Sequence, residues 1–202
     1  MQLESNKPDV WKEHLKDKNN EEGDSVKSKL ILPLLIFSII SSSVHAKDLI
    51  LASAPVEVYF SPNGGCTEAI VDALNKAKTE VLIQAYSFTS KDIGKALVNA
   101  RKRGVHTEII LDKSNRLNKY SAADFTAHAG IKTYIDDAHA IAHNKIVIID
   151  GEIVITGSFN FTKAAENNNA ENILILHSKE LAKVYRENWM EHKAHSERYE
   201  GR

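Results

Sequence analysis

The chain has 202 residues, 43% hydrophobic and 26% charged, which excludes a long disordered protein and fits one domain of ordinary globular character. Lys plus Arg (26) nearly cancels Asp plus Glu (27), so bulk charge cannot draw in a polyanionic partner, and a local basic site must do so. The single cysteine, Cys66, excludes an intrachain disulfide and leaves the fold to rest on its core.

Residues 1–26 are polar, dense in charge and rich in Asn, Lys and Glu, and they read as a disordered extension. Translation beginning at Val26 would account for them, as would a genuine cytoplasmic extension. Residues 27–46 follow the plan of a secretory signal: Lys27-Ser28-Lys29, an apolar run from Leu30 to Ile40, and a Val44-His45-Ala46 ending. The run falls short of the roughly twenty residues that a bilayer span takes. Cleavage after Ala46 leaves residues 47–202 as one periplasmic or secreted domain, which meets the membrane only transiently through its signal. A retained anchor is the alternative.

From Val56 onward, short β-branched runs alternate with longer amphipathic ones, the pattern of an α/β layered domain. A strand over 56–60 meets the turn cluster Ser61-Pro62-Asn63-Gly64-Gly65. A helix over about 66–78 follows, with Thr67 as candidate cap and Ala69, Ile70, Ala73, Leu74 and Ala77 at helical spacing. Residues 80–88 form a near-continuous apolar strand, and Ser90 caps a helix reaching Gly104. The spacing next predicts a strand over 105–111, a polar loop from Asp112, a short helix over 122–129 ending at Gly130, and a strand over 132–135. Strands over 145–149 and 152–156 flank a tight turn at Asp150-Gly151. A last strand over 172–176 leads into a helix whose Leu181, Val184, Tyr185 and Trp189 share one core-facing stripe.

The chemistry concentrates in His143-Asn144-Lys145 through Asp150, followed by Gly157-Ser158-Phe159-Asn160. On a strand, residues two apart project to one face, so the His143 imidazole and the Lys145 ammonium converge. Such a pair suits a phosphate: the ammonium neutralises a non-bridging oxygen while the imidazole attacks or protonates. Asp150 is a candidate to orient an imidazole through its second N–H. The 157–162 loop adds a hydroxyl, an amide and backbone donors. Each residue alone has an ordinary reading, a surface histidine, a solvated lysine or a hairpin aspartate, and it is their joint spacing that argues for a site.

His143, Lys145 and Asp150 match the H-x-K-x4-D motif of the phospholipase D superfamily, and Gly157-Ser158-x-Asn160 matches its downstream G-S-x-N element. Over residues 55–195 the order of elements resembles the small secreted bacterial endonucleases of that superfamily. The resemblance implies an α/β fold with a mixed, mainly parallel sheet flanked by helices on both faces. It implies a metal-independent phosphodiesterase without cofactors, in which His143 forms a phosphohistidine and a second histidine protonates the leaving group. It further implies Ser158, Asn160 and Glu171 as phosphate-binding or histidine-orienting residues, and nucleic acid, DNA or RNA, as substrate. A phospholipase D-type enzyme acting on lipid at a membrane surface is the alternative, and a binding-only module a third.

Only one motif is present, so the second histidine is expected from another copy, with the homodimer as catalytic unit. A monomer borrowing His139 or His128 is the competing arrangement. His139 and His143 lie four apart, but no third metal ligand sits at a suggestive spacing, and no metal site is expected. Arg101-Lys102-Arg103 reads as a helix end meeting its dipole, Asn167-Asn168-Asn169 as a loop, and His14-Leu15-Lys16 as a chance half-motif.

Overall fold

Period-two alternation along the strands separates two cores, one on each face of a single sheet, in a computed structural model that describes Leu49, Leu51 and residues 53–202. The expected extension and signal, residues 1–46, lie outside the described residues. In chain order the elements are β1 (Val56–Ser61), α1 (Cys66–Lys76), β2 (Glu80–Ala85), α2 (Lys91–Lys102), β3 (His106–Asp112), α3 (Ala123–His128) and β4 (Lys132–Asp136). They continue as β5 (Lys145–Ile149), β6 (Ile153–Gly157), α4 (Lys163–Asn167), β7 (Glu171–His177), α5 (Lys179–His195) and β8 (Glu197–Tyr199). Among the described residues, no helix is long and apolar enough to cross a membrane.

The strands form one eight-stranded sheet in the order β1-β7-β6-β5-β2-β3-β4-β8. Val81, Ile83, Ile109, Val147, Ile155 and Ile173 face the larger core, which α1, α2, α3 and α4 cover through residues such as Ile70, Leu74, Leu97, Ala123 and Ala165. Leu82, Ile110, Ile146, Ile148 and Val154 face the other, where α5 docks Ala182 and Trp189. Trp189 is buried, and its indole N–H donates to the Ile83 carbonyl at 2.9 Å, so the anchor is both apolar and hydrogen-bonded.

The mixed sheet with helices on both faces is as expected, but its pairing is not mainly parallel. Only β2–β3 and β3–β4 are parallel; the remaining five neighbouring pairs are antiparallel. The cause is that β5, β6 and β7 join through a tight turn and a short loop carrying α4, which reverse the chain, whereas only α2 and α3 serve as crossovers between adjacent parallel strands. Local chemistry also differs at α1. Its start is Gly65, in the left-handed region at φ 80, with no side-chain cap. The Glu166 carboxylate from α4 instead accepts from the Gly65 and Thr67 N–H groups at 3.1 and 2.7 Å. Ser90 does cap α2, accepting from the Ile93 N–H.

Candidate active site

Strand direction sets where chemistry can gather. The C-terminal ends of β2, β3, β4 and β6 and the N-terminal ends of β5 and β7 share one edge of the sheet. His143 lies there just ahead of β5, separated from it by Asn144 and exposed, while Lys145, which opens β5, is 7% exposed. The Lys145 ammonium donates to the His143 carbonyl at 2.8 Å. Burial pushes the Lys145 pKa below the ordinary lysine value, and the negative field of Glu171 opposes that shift. Glu171 opens β7 and accepts from the Asn169 amide at 3.1 Å. The field of the carboxylate thus works against burial to keep the ammonium protonated.

Tyr86, which the sequence did not single out, completes the setting of the pair. Its backbone N–H donates to the Asn144 carbonyl at 2.8 Å, and its ring lies 4.6 Å from the His143 ring, tilted by 54°. The Lys145 Nζ sits 5.3 Å from the same ring, so one aromatic ring lies beside both side chains. The Tyr86 carbonyl accepts from the buried Asn115 amide at 2.6 Å. What hid Tyr86 is the β2–β5 pairing, which joins segments about sixty residues apart.

The G-S-x-N loop lies at the same edge, stitched to the segment after β2: Phe161 N–H donates to the Ser87 carbonyl at 3.1 Å, and the Phe161 carbonyl accepts from Thr89 and Ser90. Ser158 Oγ accepts from the Asn172 N–H at 3.1 Å, leaving its proton free to donate. Asn160 Oδ1 is buried and has no hydrogen-bond partner among the described residues. A buried acceptor without a donor is costly, and a substrate or a second imidazole N–H would satisfy it.

Asp150 does not join this group. It sits at the far end of β5, roughly 20 Å along the strand from His143 by strand rise, in a left-handed conformation at φ 55 followed by Gly151 at φ 65. Its carboxylate accepts from the backbone N–H groups of Lys78, Thr79 and Glu80 and from the Thr79 hydroxyl at 2.7–3.2 Å. Burial alone would raise its pKa, but these N–H donors lower it below the ordinary carboxylate value. The expected role in orienting an imidazole is therefore corrected: the motif aspartate closes a turn of the fold, because five strand residues separate it from the reactive end.

His139, the histidine of the competing monomer arrangement, has its Nδ1 3.1 Å from both oxygens of the buried Asp136, which also meets His192 and His195. Among the described residues these four form a set able to hold a metal ion. His128 sits elsewhere, at the end of α3 against Gly201.

The model of the PLD-like domain of cardiolipin synthase matches residues 70–193. A Rickettsia conorii protein named phospholipase D is 44% identical over 144 residues, 71% of this chain and 72% of that one. The chain belongs to the phospholipase D superfamily. The crystal structure of a phospholipase D family member, Nuc from Salmonella typhimurium, superposes with a TM-score of 0.70 at 39% identity, covering 72% of this chain and 98% of the other. The mitochondrial cardiolipin hydrolase of Canis lupus familiaris is 29% identical over 147 residues, 68% of this chain and 58% of that protein. Phosphodiesterase chemistry is the class of activity that this superfamily carries.

Proposed function

We propose that this phospholipase D superfamily member is an endonuclease that cleaves phosphodiester bonds of DNA or RNA through a phosphohistidine on His143, without a metal in the reacting centre. The observation that carries it is the His143–Lys145–Tyr86 arrangement, an accessible imidazole fixed beside a buried ammonium. His143 attacks phosphorus in line, the P–O bond to the leaving oxygen breaks, and a second imidazole gives that oxygen a proton. Water then attacks the phosphoramidate, passing its proton to the second imidazole, and His143 is released. Lys145 holds the non-bridging oxygens as charge builds on them.

The second imidazole comes, in this reading, from His143 of another copy. Its support is negative and local: the nearest histidine in sequence, His139, is turned to Asp136, and His128 lies at the C-terminal end of α3. A two-fold axis near His143 would set two imidazoles on opposite sides of one phosphate. Mixing excess His143→Ala subunits with wild type tests this. Activity per wild-type subunit is expected to fall as heterodimers form, whereas unchanged activity after proven subunit exchange overturns the shared site.

A lipid substrate is the second reading. It is favoured by the name of the Rickettsia relative and by Leu117, Tyr120 and Ile141, 80%, 71% and 57% exposed, on loops leaving the same sheet edge as His143. Exposed apolar side chains beside a site suit a membrane surface. Cleavage of plasmid DNA, RNA and phospholipid vesicles, each with excess chelator, separates the readings. Nucleic-acid cleavage with intact vesicles is expected, and the reverse pattern overturns the nuclease. The same reading exports the chain, with Lys47 as the mature first residue, which N-terminal sequencing of processed protein checks.

A further inference from the structure

Asp136 ends β4 with its side chain fully buried, yet among the described residues no lysine or arginine pairs with it; three imidazoles do. The His192 Nδ1 lies 2.8 Å from its Oδ2, the His139 Nδ1 3.1 Å from each oxygen, and the His195 Nε2 3.4 Å from Oδ2. The Ala138 N–H fixes Oδ1 at 3.2 Å. The three rings stand 4.9–5.2 Å apart and tilted by 37–66°, gathered around a common point and not stacked. One potential ligand atom from each of the four residues lies within 4.8 Å of all the others.

We infer that Asp136, His139, His192 and His195 bind one zinc-class divalent ion. Tetrahedral zinc with bonds of about 2.0–2.1 Å places neighbouring ligand atoms roughly 3.3 Å apart, and the nitrogen-to-carboxylate separations here, 2.8–3.4 Å, already bracket that edge. Three nitrogens and one oxygen form a borderline donor set that suits zinc, and four protein ligands make a closed, structural site. The spacing serves the same end: His192 and His195 are three apart on α5 and share a face, and His139 follows Asp136 by three. A divalent ion would also place positive charge directly against the fully buried carboxylate.

Such an ion ties α5 to the loop leaving β4. That loop reaches His143 four residues after His139, and it is otherwise held by the Lys113 ammonium on the His139 carbonyl at 2.9 Å and by the Asp112 carboxylate on the Ala142 N–H at 2.8 Å. The ion thus braces the backbone that presents the nucleophile and takes no part in the reaction. It is independent of the phosphodiesterase reading, and its test reads metal content and not turnover.

Chelator-stripped protein is titrated with Co²⁺ while the visible spectrum is followed, then challenged with Zn²⁺. Intense bands of tetrahedral cobalt, saturating at one ion per chain and erased by Zn²⁺, are expected. His192→Ala and His195→Ala are each expected to weaken binding on the order of 100-fold or more, while His143→Ala binds as wild type. At one Zn²⁺ concentration the melting temperature of wild type is expected to rise well above the shift seen for His195→Ala, since the intact set binds the folded state more tightly. Wild-type protein that takes up no Co²⁺ at micromolar concentrations, shows octahedral cobalt only, or binds equally well after either substitution overturns the site. The wild-type titration decides the matter even if a variant fails to fold.

Discussion

Two histidine sites share one edge of the sheet and differ in almost every physical respect. His143 is exposed, has no carboxylate partner among the described residues and stands beside a buried ammonium; His139, His192 and His195 converge on a fully buried carboxylate. The first arrangement leaves a nitrogen free to react and places positive charge where phosphate oxygens would sit. The second engages one nitrogen of each ring and joins two elements distant in sequence. An imidazole is a nucleophile or a structural ligand according to what holds it, and one short loop carries an example of each.

The comparison breaks most visibly at His143. His143→Ala is expected to lose on the order of 10⁴-fold or more in cleavage rate while its melting temperature changes little, because the covalent route is gone while the exposed ring gives up a surface contact with Tyr86. Calorimetry alongside a phosphodiester assay checks both halves; an active, folded variant would sink the assignment. Lys145→Met comes next, with a rate loss of about 10²–10³-fold from lost stabilisation of developing charge. Its stability is expected to hold or rise. The folded-state pKa of Lys145 is lowered by burial, so below that pKa its charge costs stability, a cost that fades as pH rises toward the unfolded lysine value.

Smaller effects sharpen the contrast from the structural side. His192→Ala removes the 2.8 Å partner of buried Asp136 and is expected to cost about 2–3 kcal/mol of stability, with most cleavage retained by the protein that remains folded. A denaturation curve and a specific activity per folded molecule separate the two. Asp150→Asn is expected to cost about 2 kcal/mol near neutral pH through its turn and backbone N–H contacts, again without loss of catalytic rate. Its folded pKa is depressed, so its contribution is present above the unfolded aspartate pKa and is lost as pH falls through the folded one. The acid limb of stability against pH should flatten in the variant. A large kcat loss with stability unchanged would instead return Asp150 to the catalytic machinery. The mildest change is Glu171→Gln. It removes the field that raises the Lys145 pKa, and the alkaline limb of the activity profile is expected to move to lower pH.

Much of this was legible in the sequence where the cause is local. The seven strands β1 to β7 and the longer helices followed from periodicity, and Ser90 as a cap from residue type. The juxtaposition of His143 and Lys145 was legible because residues two apart on an extended backbone project together, a fact of strand geometry. The same spacing misled at Asp150, since seven residues along a strand is distance and not proximity. Three kinds of feature escaped because they depend on pairing between remote segments: the antiparallel majority of the sheet, Tyr86 against His143, and Glu166 capping α1. The Asp136 set is the clearest case. Asp136 and His139 are more than fifty residues before His192 and His195, and no spacing rule joins β4 to the end of α5 until the sheet is built.

The central claim, covalent chemistry at His143, is tested most directly by trapping the intermediate. Protein turning over a phosphodiester substrate is quenched in alkali, where phosphohistidine survives, digested, and its peptides are weighed by mass spectrometry. The expected result is a phosphoryl-linked adduct on His143 that is acid-labile, that appears and decays within turnover, and that is missing from His143→Ala. Sustained wild-type turnover with no adduct at any rapid-quench time, or an adduct on another residue, would contradict the account.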